Sequence, residues 1–143
     1  MTTFNTSRQI SATIEQVFAA ISDPVRLARW WGPNGFTNTF TICEFEEGGR
    51  WSLVMHGPDG KSYPSENRFA AIEVPTRVIV EHASQPTYRL TIGLEPTDAG
   101  VLVTWSQAFE DPEVGRRLES IVVPANDQNL KRLEHEVFYV AGS

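Results

Sequence analysis

The stretch RVIVEHASQPTYRLTIGLEPTDAGVLVTWSQAF, residues 77–109, decides the fold. Apolar and polar side chains alternate in three runs within it, RVIVEHA, TYRLTIGLE and VLVTWSQAF, and short segments rich in turn-forming residues separate the runs. Alternation with a period of two gives a strand one buried face and one wet face. Short connections between such strands favour an antiparallel sheet.

Three similar runs precede this stretch: TFTICEFE (39–46), RWSLVMH (50–56) and ENRFAAIEV (66–74). Residues 4–11 can form a further strand, which gives a sheet of six or seven strands. The segment Gly57-Pro58-Asp59-Gly60 lies between two of the runs. Because Pro fixes φ, Asp bonds to nearby backbone and Gly accepts a positive φ, this segment predicts a hairpin turn, and Asp59 is explained without a catalytic role.

Helical spacing marks both ends of the chain. After the first strand, apolar residues recur at Ile14, Val17, Phe18 and Ile21. Asp23 then precedes Pro24, which predicts an N-cap followed by a second short helix over residues 25–31.

The C-terminal segment returns to helical spacing in two sets, Val114, Leu118, Ile121 and Val122, then Leu130, Leu133, Val137 and Val140. Pro124 lies between the sets and predicts a boundary or a kink. A long helix over a sheet with one dry face is an α+β arrangement. With 143 residues and no repeat or linker, the chain is predicted to form a single domain over residues 1–143.

Composition excludes several classes of protein. The formal net charge of −6 argues against nucleic-acid binding, which requires clustered Lys and Arg. The N-terminus lacks the blocks of a signal peptide and no long apolar segment follows, so no membrane association is expected. Cys43 is the only cysteine and cannot form an internal disulfide. We therefore expect a cytoplasmic protein.

The residues that could hold a metal are dispersed. His56, His82 and His135 do not have metal-motif spacing, and Cys43 is isolated. Nucleophile-elbow, phosphate-loop and dinucleotide fingerprints are also missing from the sequence. We expect no metal site and no cofactor.

Three segments carry a family resemblance: DPVRLARWWGPNGFT (23–37), GGRWSLVMHGPDG (48–60) with Tyr63 and Asn67 after it, and QNLKRL (128–133). The chain resembles bacterial proteins related to the activator of the heat-shock chaperone ATPase, within the SRPBCC superfamily. The resemblance runs from about Arg8 to Val137. It implies the START-like helix-grip fold, in which a curved antiparallel sheet wraps around a long C-terminal helix and encloses an apolar cavity.

One segment departs from that pattern. Many relatives have a Gly-Trp pair at the start of the last helix, where this chain has Asn126-Asp127-Gln128-Asn129. A role of that Trp in the relatives therefore does not transfer to this chain.

The resemblance also implies which side chains line the cavity. Candidates on the sheet and the last helix are Trp51, Leu53, Met55, Phe69, Trp105, Leu130 and Leu133. Three further candidates, Trp30, Trp31 and Phe36, would lie where the short helices meet the sheet. Aromatic side chains of this kind serve both core packing and ligand contact, and the sequence leaves both roles open.

A few polar residues could act within such a cavity. His82 has the same parity as Val78 and Val80, so its imidazole can point inward as an acid, base or hydrogen-bond partner. Tyr88, Tyr63 and Arg68 are further polar candidates. By the same alternation His56 faces water, and His135 lies among charges on the last helix.

Three functions fit these observations. The first is binding of a small apolar or aromatic molecule in the cavity. The second is a cyclase-like enzyme, as the resemblance includes polyketide cyclases, with His82 as base and Tyr88 or Tyr63 as proton donor. The third is a chaperone partner that acts through its surface. A homodimer is also left open.

Overall fold

The computed structural model describes residues 1–141, which form seven strands and three helices. In chain order these are β1 Thr2–Ile10, α1 Ile14–Ser22, α2 Pro24–Trp30, β2 Thr37–Cys43, β3 Arg50–His56, β4 Ser62–Glu73, β5 Arg77–His82, β6 Tyr88–Thr97, β7 Gly100–Phe109 and α3 Pro112–Ala141. The α+β order predicted from the sequence is confirmed.

The strands form one open antiparallel sheet in the order β1-β7-β6-β5-β4-β3-β2. β1 therefore pairs with β7, the last strand, and α1 and α2 carry the chain to the opposite edge, where β2 lies. The ladder shifts register between Phe40 and Ile42 on β2 and between Phe69 and Ala71 on β4. Such bulges bend a sheet locally and increase its twist.

Two strand boundaries differ from the predicted ones by more than two residues. β4 begins at Ser62, four residues before its predicted start, because pairing with β3 continues as far as His56 opposite Ser62. β2 ends at Cys43 and not at residue 46, because residues 44–49 form a loop closed by the Gly49 N–H on the Glu46 carbonyl. Strand pairing therefore extends β4 and the loop shortens β2, against the alternation of apolar and polar residues in the sequence.

Both short helices have capped starts, and the cap of the second is the predicted one. Thr13 and Gln16 form a reciprocal capping box at α1. At α2 the Asp23 carboxylate accepts the Val25 N–H at 3.0 Å, and Pro24 occupies the first helical position. Gly32 follows with φ +95°, a conformation that other residues avoid, and redirects the chain towards β2.

α3 is continuous through Pro124, so of the two alternatives predicted there, a boundary or a kink, the boundary is wrong. It packs against β1, β7, α1 and α2. Gly115 makes the close approach possible, since a Cβ there would lie 2.7 Å from the Thr2 Cβ. The predicted helical residue Val140 has a side chain outside the described part of the structure.

The core lies between α3, the two short helices and the face of the sheet that we call the inner face. Its largest fully buried side chains are Trp30, Trp51, Phe69, Phe109, Ile10, Ile21, Leu27, Leu53, Leu90, Ile92, Leu130 and Leu133. None of the described helices combines the length and the hydropathy needed to cross a lipid bilayer.

Candidate functional site

One row of side chains crosses the inner face from β3 to β7. The strand register places Trp51 opposite Asn67, Asn67 opposite His82, His82 opposite Tyr88, and Tyr88 opposite Phe109. Because cross-strand partners lie about 5 Å apart on one face, these five side chains form a continuous strip. Polar groups in its middle are flanked by aromatic rings at both ends.

Four tryptophans form a cluster that shares Trp51 with this row. The centroid of the Trp31 ring lies 5.6 Å from Trp30, 4.7 Å from Trp51 and 5.7 Å from Trp105. The Trp51 ring also stacks on Phe69, with centroids 5.3 Å apart. All four tryptophans are at most 6% exposed. We call Trp30, Trp31, Trp51 and Trp105 the tryptophan cluster.

The indole N–H groups of the cluster differ in their partners. Trp30 Nε1 donates to the Ala20 carbonyl at 2.9 Å. The Nε1 atoms of Trp51 and Trp105 are buried and have no hydrogen-bond partner among the described residues. A buried donor left unpaired costs about 1 to 3 kcal/mol, and such groups are uncommon in native interiors. The interior therefore contains two unused hydrogen-bond donors.

His82 is held by contacts on both ring nitrogens. Its Nδ1 lies 2.8 Å from the Pro86 carbonyl oxygen, and its Nε2 lies 3.2 Å from Ser65 Oγ and 3.3 Å from Ser84 Oγ. The Tyr88 ring stacks on the imidazole with centroids 4.5 Å apart and planes 9° apart. Burial lowers the pKa of His82 below its usual range, partly offset by backbone carbonyls that favour the protonated ring. The imidazole is therefore neutral near pH 7.

The other polar groups of the row are also buried. Burial raises the pKa of Tyr88 to about 12, so its phenol stays protonated. The Asn67 amide donates to the Trp51 carbonyl at 3.3 Å and to Ser65 Oγ at 3.1 Å. Farther along the inner face, the Asn126 amide on α3 donates to the Gln107 side chain at 3.0 Å. These groups can orient a bound molecule without carrying charge.

The loop between α2 and β2, residues 31–36, is fastened to α3. The Arg132 guanidinium donates to five backbone carbonyls, those of Arg29, Trp31, Gly32, Pro33 and Phe36, at 2.7 to 3.2 Å. Asn129 Oδ1 accepts the Gly32 N–H and Gln128 Oε1 accepts the Asn34 N–H. The polar segment Asn126-Asp127-Gln128-Asn129 thus has a structural role.

Most of the predicted cavity residues come together in the interior. Trp30, Trp31, Trp51, Leu53, Phe69, Trp105, Leu130 and Leu133 are buried in one apolar cluster. Phe36 and Met55 are half-buried next to Gly32, where an added Cβ would lie 3.2 Å from Phe36 Cβ and 2.9 Å from Met55 Cε. Whether these ten residues contact a ligand stays a prediction.

Two of the predicted polar residues lie outside the buried interior. Tyr63 is 43% exposed, and its hydroxyl donates to Asp59 in the β3–β4 hairpin at 3.0 Å. Arg68 points to the outer face, where it pairs with Glu81 at 2.9 Å. His56 contacts Thr39 and Ser62 there, as its parity predicted.

The residues that the sequence argument missed are Ser65, Ser84, Gln107, Asn126, Asn129 and Arg132. Ser65 and Gln107 share the inward parity of Phe69 and Trp105, and that parity was the available signal. Among residues 1–141, no group of three or more His, Cys, Asp or Glu side chains has the proximity to hold a metal ion.

A surface cleft of about 690 Å³ opens at the ends of β5 and β6. Its walls include Met1, His82, Ala83, Thr87, Tyr88 and Ala108. Arg68, Glu81, Arg89 and Glu110 add charged groups to the wall, and the first three of these form an ion-paired row on the outer face of the sheet.

Comparisons with known proteins agree with this architecture. The family model described as Activator of Hsp90 ATPase homolog 1-like protein matches residues 11–137. A crystal structure from Nitrosomonas europaea has a TM-score of 0.89 at 18% identity and covers 99% of this chain and 97% of that one. A solution structure from Arthrobacter aurescens has a TM-score of 0.87 at 24% identity, over 96% and 86% of the two chains.

A third structure, described as the AHSA1 protein of Silicibacter pomeroyi, has a TM-score of 0.75 at 20% identity and covers 96% of this chain and 99% of that one. Identities this low show the shared fold alone. The comparison with curated proteins gave no match.

Proposed function

The chain belongs to the family of Activator of Hsp90 ATPase homolog 1-like proteins, and we propose that it binds a small apolar or aromatic molecule with an oxygen acceptor. The molecule would lie between the inner face of the sheet and α3, in contact with the tryptophan cluster. The residues concerned are the buried members of the cavity set predicted from the sequence.

The two unpaired indole N–H donors carry this proposal. Trp51 and Trp105 are 1% and 2% exposed, and their Nε1 atoms have no acceptor among residues 1–141. A ligand carbonyl or ether oxygen would accept these N–H groups and remove the free-energy cost of burying them unpaired. Binding sites for small molecules typically combine apolar walls with a few such polar groups.

The polar row supports the same assignment. Asn67, His82 and Tyr88 lie side by side on the inner face, and none of them needs a charge to make a hydrogen bond. A neutral molecule with one or two oxygen atoms therefore fits this interior better than an ion does, because a buried charge without a partner is costly.

The test uses two probes of nearly equal shape, 2-acetylnaphthalene and 2-ethylnaphthalene, of which only the first has a carbonyl oxygen. We expect calorimetry to show that wild-type protein binds the acetyl probe about tenfold more tightly, as one additional buried hydrogen bond implies. Trp51→Phe or Trp105→Phe should reduce this preference.

Trp30→Phe is the matched control, since the Trp30 N–H already donates to the Ala20 carbonyl. This variant should retain the preference for the acetyl probe. Equal affinity for both probes in wild-type protein would remove the indole donors from the proposal, and a lack of heat with either probe would contradict ligand binding by the interior.

A further inference from the structure

A surface pocket of about 440 Å³ lies where α2 and the loop after it meet α3. Its wall consists of Arg29, Trp30, Asn34, Lys131, Arg132, His135 and Glu136. Two arginines, a lysine and a histidine thus surround one small opening, on a chain whose formal net charge is −6. We call this site the basic pocket, since its charge is opposite to that of the whole chain.

Two segments that are distant in the sequence build the basic pocket. Lys131 and Arg132 precede His135 by four and three residues, so these side chains lie on one side of α3. Arg29 lies in the last turn of α2. An ion pair between Arg29 and Glu136 joins the two helices, with Nη1 3.4 Å from Oε2. The packing of α2 against α3 therefore brings the basic groups together.

The carboxylate in the pocket wall, that of Glu136, is already paired. Its side chain is 5% exposed and lies 3.2 Å from Arg26 Nε and 3.4 Å from Arg29 Nη1. The side chain of Arg29 is 49% exposed, and this contact uses one of its three nitrogens. Glu136 therefore orients Arg29 and leaves most of its hydrogen-bond donors for a ligand.

The positive charge of Arg132 is balanced by no carboxylate among residues 1–141. Its hydrogen bonds within these residues run from Nη1 and Nη2 to backbone carbonyls, which leaves its Nε–H for a further acceptor. Burial lowers the pKa of Arg132, and an anion beside the guanidinium would offset that effect. Lys131 pairs with Asp127 at 3.1 Å, but both side chains are at least half exposed, so the pair is weak.

The charges of the pocket do not cancel. The wall and its ion-pair partners contain four cations and two carboxylates, which are Arg26, Arg29, Lys131 and Arg132 against Glu136 and Asp127. The surplus is two formal charges without His135. A phosphate dianion balances this surplus, whereas a carboxylate balances half of it.

We propose that the basic pocket binds the phosphate group of a small phosphate ester. The planar guanidinium of Arg29 matches two phosphate oxygens, and Lys131 adds a compact charge. Asn34 and His135 are exposed members of the wall that can donate further hydrogen bonds. The volume exceeds that of a phosphate group, which leaves room for the organic part of the ester. This site is separate from the proposed interior site and does not depend on it.

The experiment is calorimetry at low ionic strength with inorganic phosphate, phenyl phosphate and acetate, at a pH of about 8, where phosphate is mainly a dianion. We expect wild-type protein to bind both phosphate probes with a Kd of about 1 mM or lower. Acetate should bind at least about tenfold more weakly. Arg29→Gln and Lys131→Gln should each weaken phosphate binding about tenfold, because each removes a charged donor.

Arg77→Gln is the matched control. The Arg77 side chain is 47% exposed and has one ion pair, with Glu73, so this variant removes the same charge from a site on β5. It should retain the wild-type affinity for phosphate. Thermal melting and far-UV circular dichroism establish that each variant is folded.

Four results overturn the proposal: no binding of inorganic phosphate by wild-type protein, no binding of phenyl phosphate, equal affinity for acetate, or an equal loss of phosphate affinity in Arg77→Gln. Binding of 2-acetylnaphthalene by Lys131→Gln separates these outcomes from a failure of the interior site, since Lys131 is exposed on α3 and the variant leaves the tryptophan cluster intact.

Discussion

One side chain, that of Arg132, connects two separate parts of the fold through hydrogen bonds. Its guanidinium presents several N–H groups in a fixed plane, and in this protein they reach five carbonyls of α2 and the loop after it. These carbonyls lie at the C-terminal end of a helix and in a tight turn, where backbone partners are scarce. The contact therefore joins α3 to the segment that carries Trp30 and Trp31.

Replacement of Arg132 by Lys keeps the charge and removes the planar set of donors. We expect Arg132→Lys to lower the free energy of unfolding by about 2 to 3 kcal/mol, because several carbonyls lose a charged donor. Urea denaturation measures the change. Lys131→Ala, which breaks an exposed ion pair with Asp127, should cost less than about 1 kcal/mol, and equal losses in the two variants would contradict this role for Arg132.

His82 gives a prediction for pH. Its folded pKa lies below the usual value of 6.5 because burial disfavours the charged ring. Between the folded pKa and about 6.5 the unfolded chain binds more protons than the folded chain, so stability falls as pH is lowered through this window. Urea midpoints at pH 7.5 and 5 should therefore differ more for wild-type protein than for His82→Gln.

The matched control for this pH dependence is His135→Gln, on the exposed side of α3. It should retain the wild-type difference between the two pH values. If His82→Gln and wild-type protein lose the same stability on acidification, burial of the imidazole is not linked to folding as the structure implies.

Parity in the sequence located several side chains of the candidate site. The alternation of Val78, Val80 and His82 predicted that His82 points inward, and it does. Its contacts with Ser65 and Ser84 were not predictable, because they depend on the register between β4 and β5 and on the shape of a loop. The sequence contains the parity of each strand but not the alignment of one strand with another.

At the scale of elements, α3 combines a favourable and an unfavourable feature. Its buried side includes Leu130, Leu133 and Val137, and tertiary packing of such a side stabilises a helix. Pro124 lies in its interior, removes one backbone donor and clashes with the preceding turn. The expectation of a boundary at Pro124 failed because packing on both sides of it, at Gly115 and from Asn126 to Val137, outweighs a local cost of about 3 kcal/mol.

The local cost of Pro124 predicts that two proline variants of α3 differ in their free energy of unfolding. Pro124→Ala should raise the free energy of unfolding by about 1 to 3 kcal/mol, since Pro124 is exposed and its replacement restores a helical hydrogen bond. Pro112→Ala should give no gain, because Pro112 is the first residue of α3, where the backbone N–H has no intrahelical partner. Thermal melting measures the stability of both variants. A stability gain from Pro112→Ala as large as that from Pro124→Ala would refute the explanation by a restored helical hydrogen bond.

At the scale of the molecule, the tryptophan cluster joins distant parts of the chain. Trp30 and Trp31 come from α2 and the residue after it, Trp51 from β3 and Trp105 from β7. The expectation of a single domain, made from length and the lack of a linker, predicts that these parts unfold together. The cyclase-like and chaperone-linked functions also remain predictions at this scale.

Coincident unfolding is the measurable form of the single-domain prediction. Tryptophan fluorescence reports on the cluster and far-UV circular dichroism on the backbone, so urea titrations followed by the two signals should give the same midpoint. Ser65→Ala, outside the cluster, is a control that should move both midpoints together. Two separated transitions would divide the chain into independent units.

The pairing of β1 with β7 has a consequence for biosynthesis. The start of β7 at Gly100 lies 90 positions after the end of β1 at Ile10. At roughly 5 to 20 residues per second, a ribosome needs about 5 to 20 s to add them. During that interval the nascent β1 has no partner strand, and its apolar side chains are accessible to chaperones and to neighbouring chains.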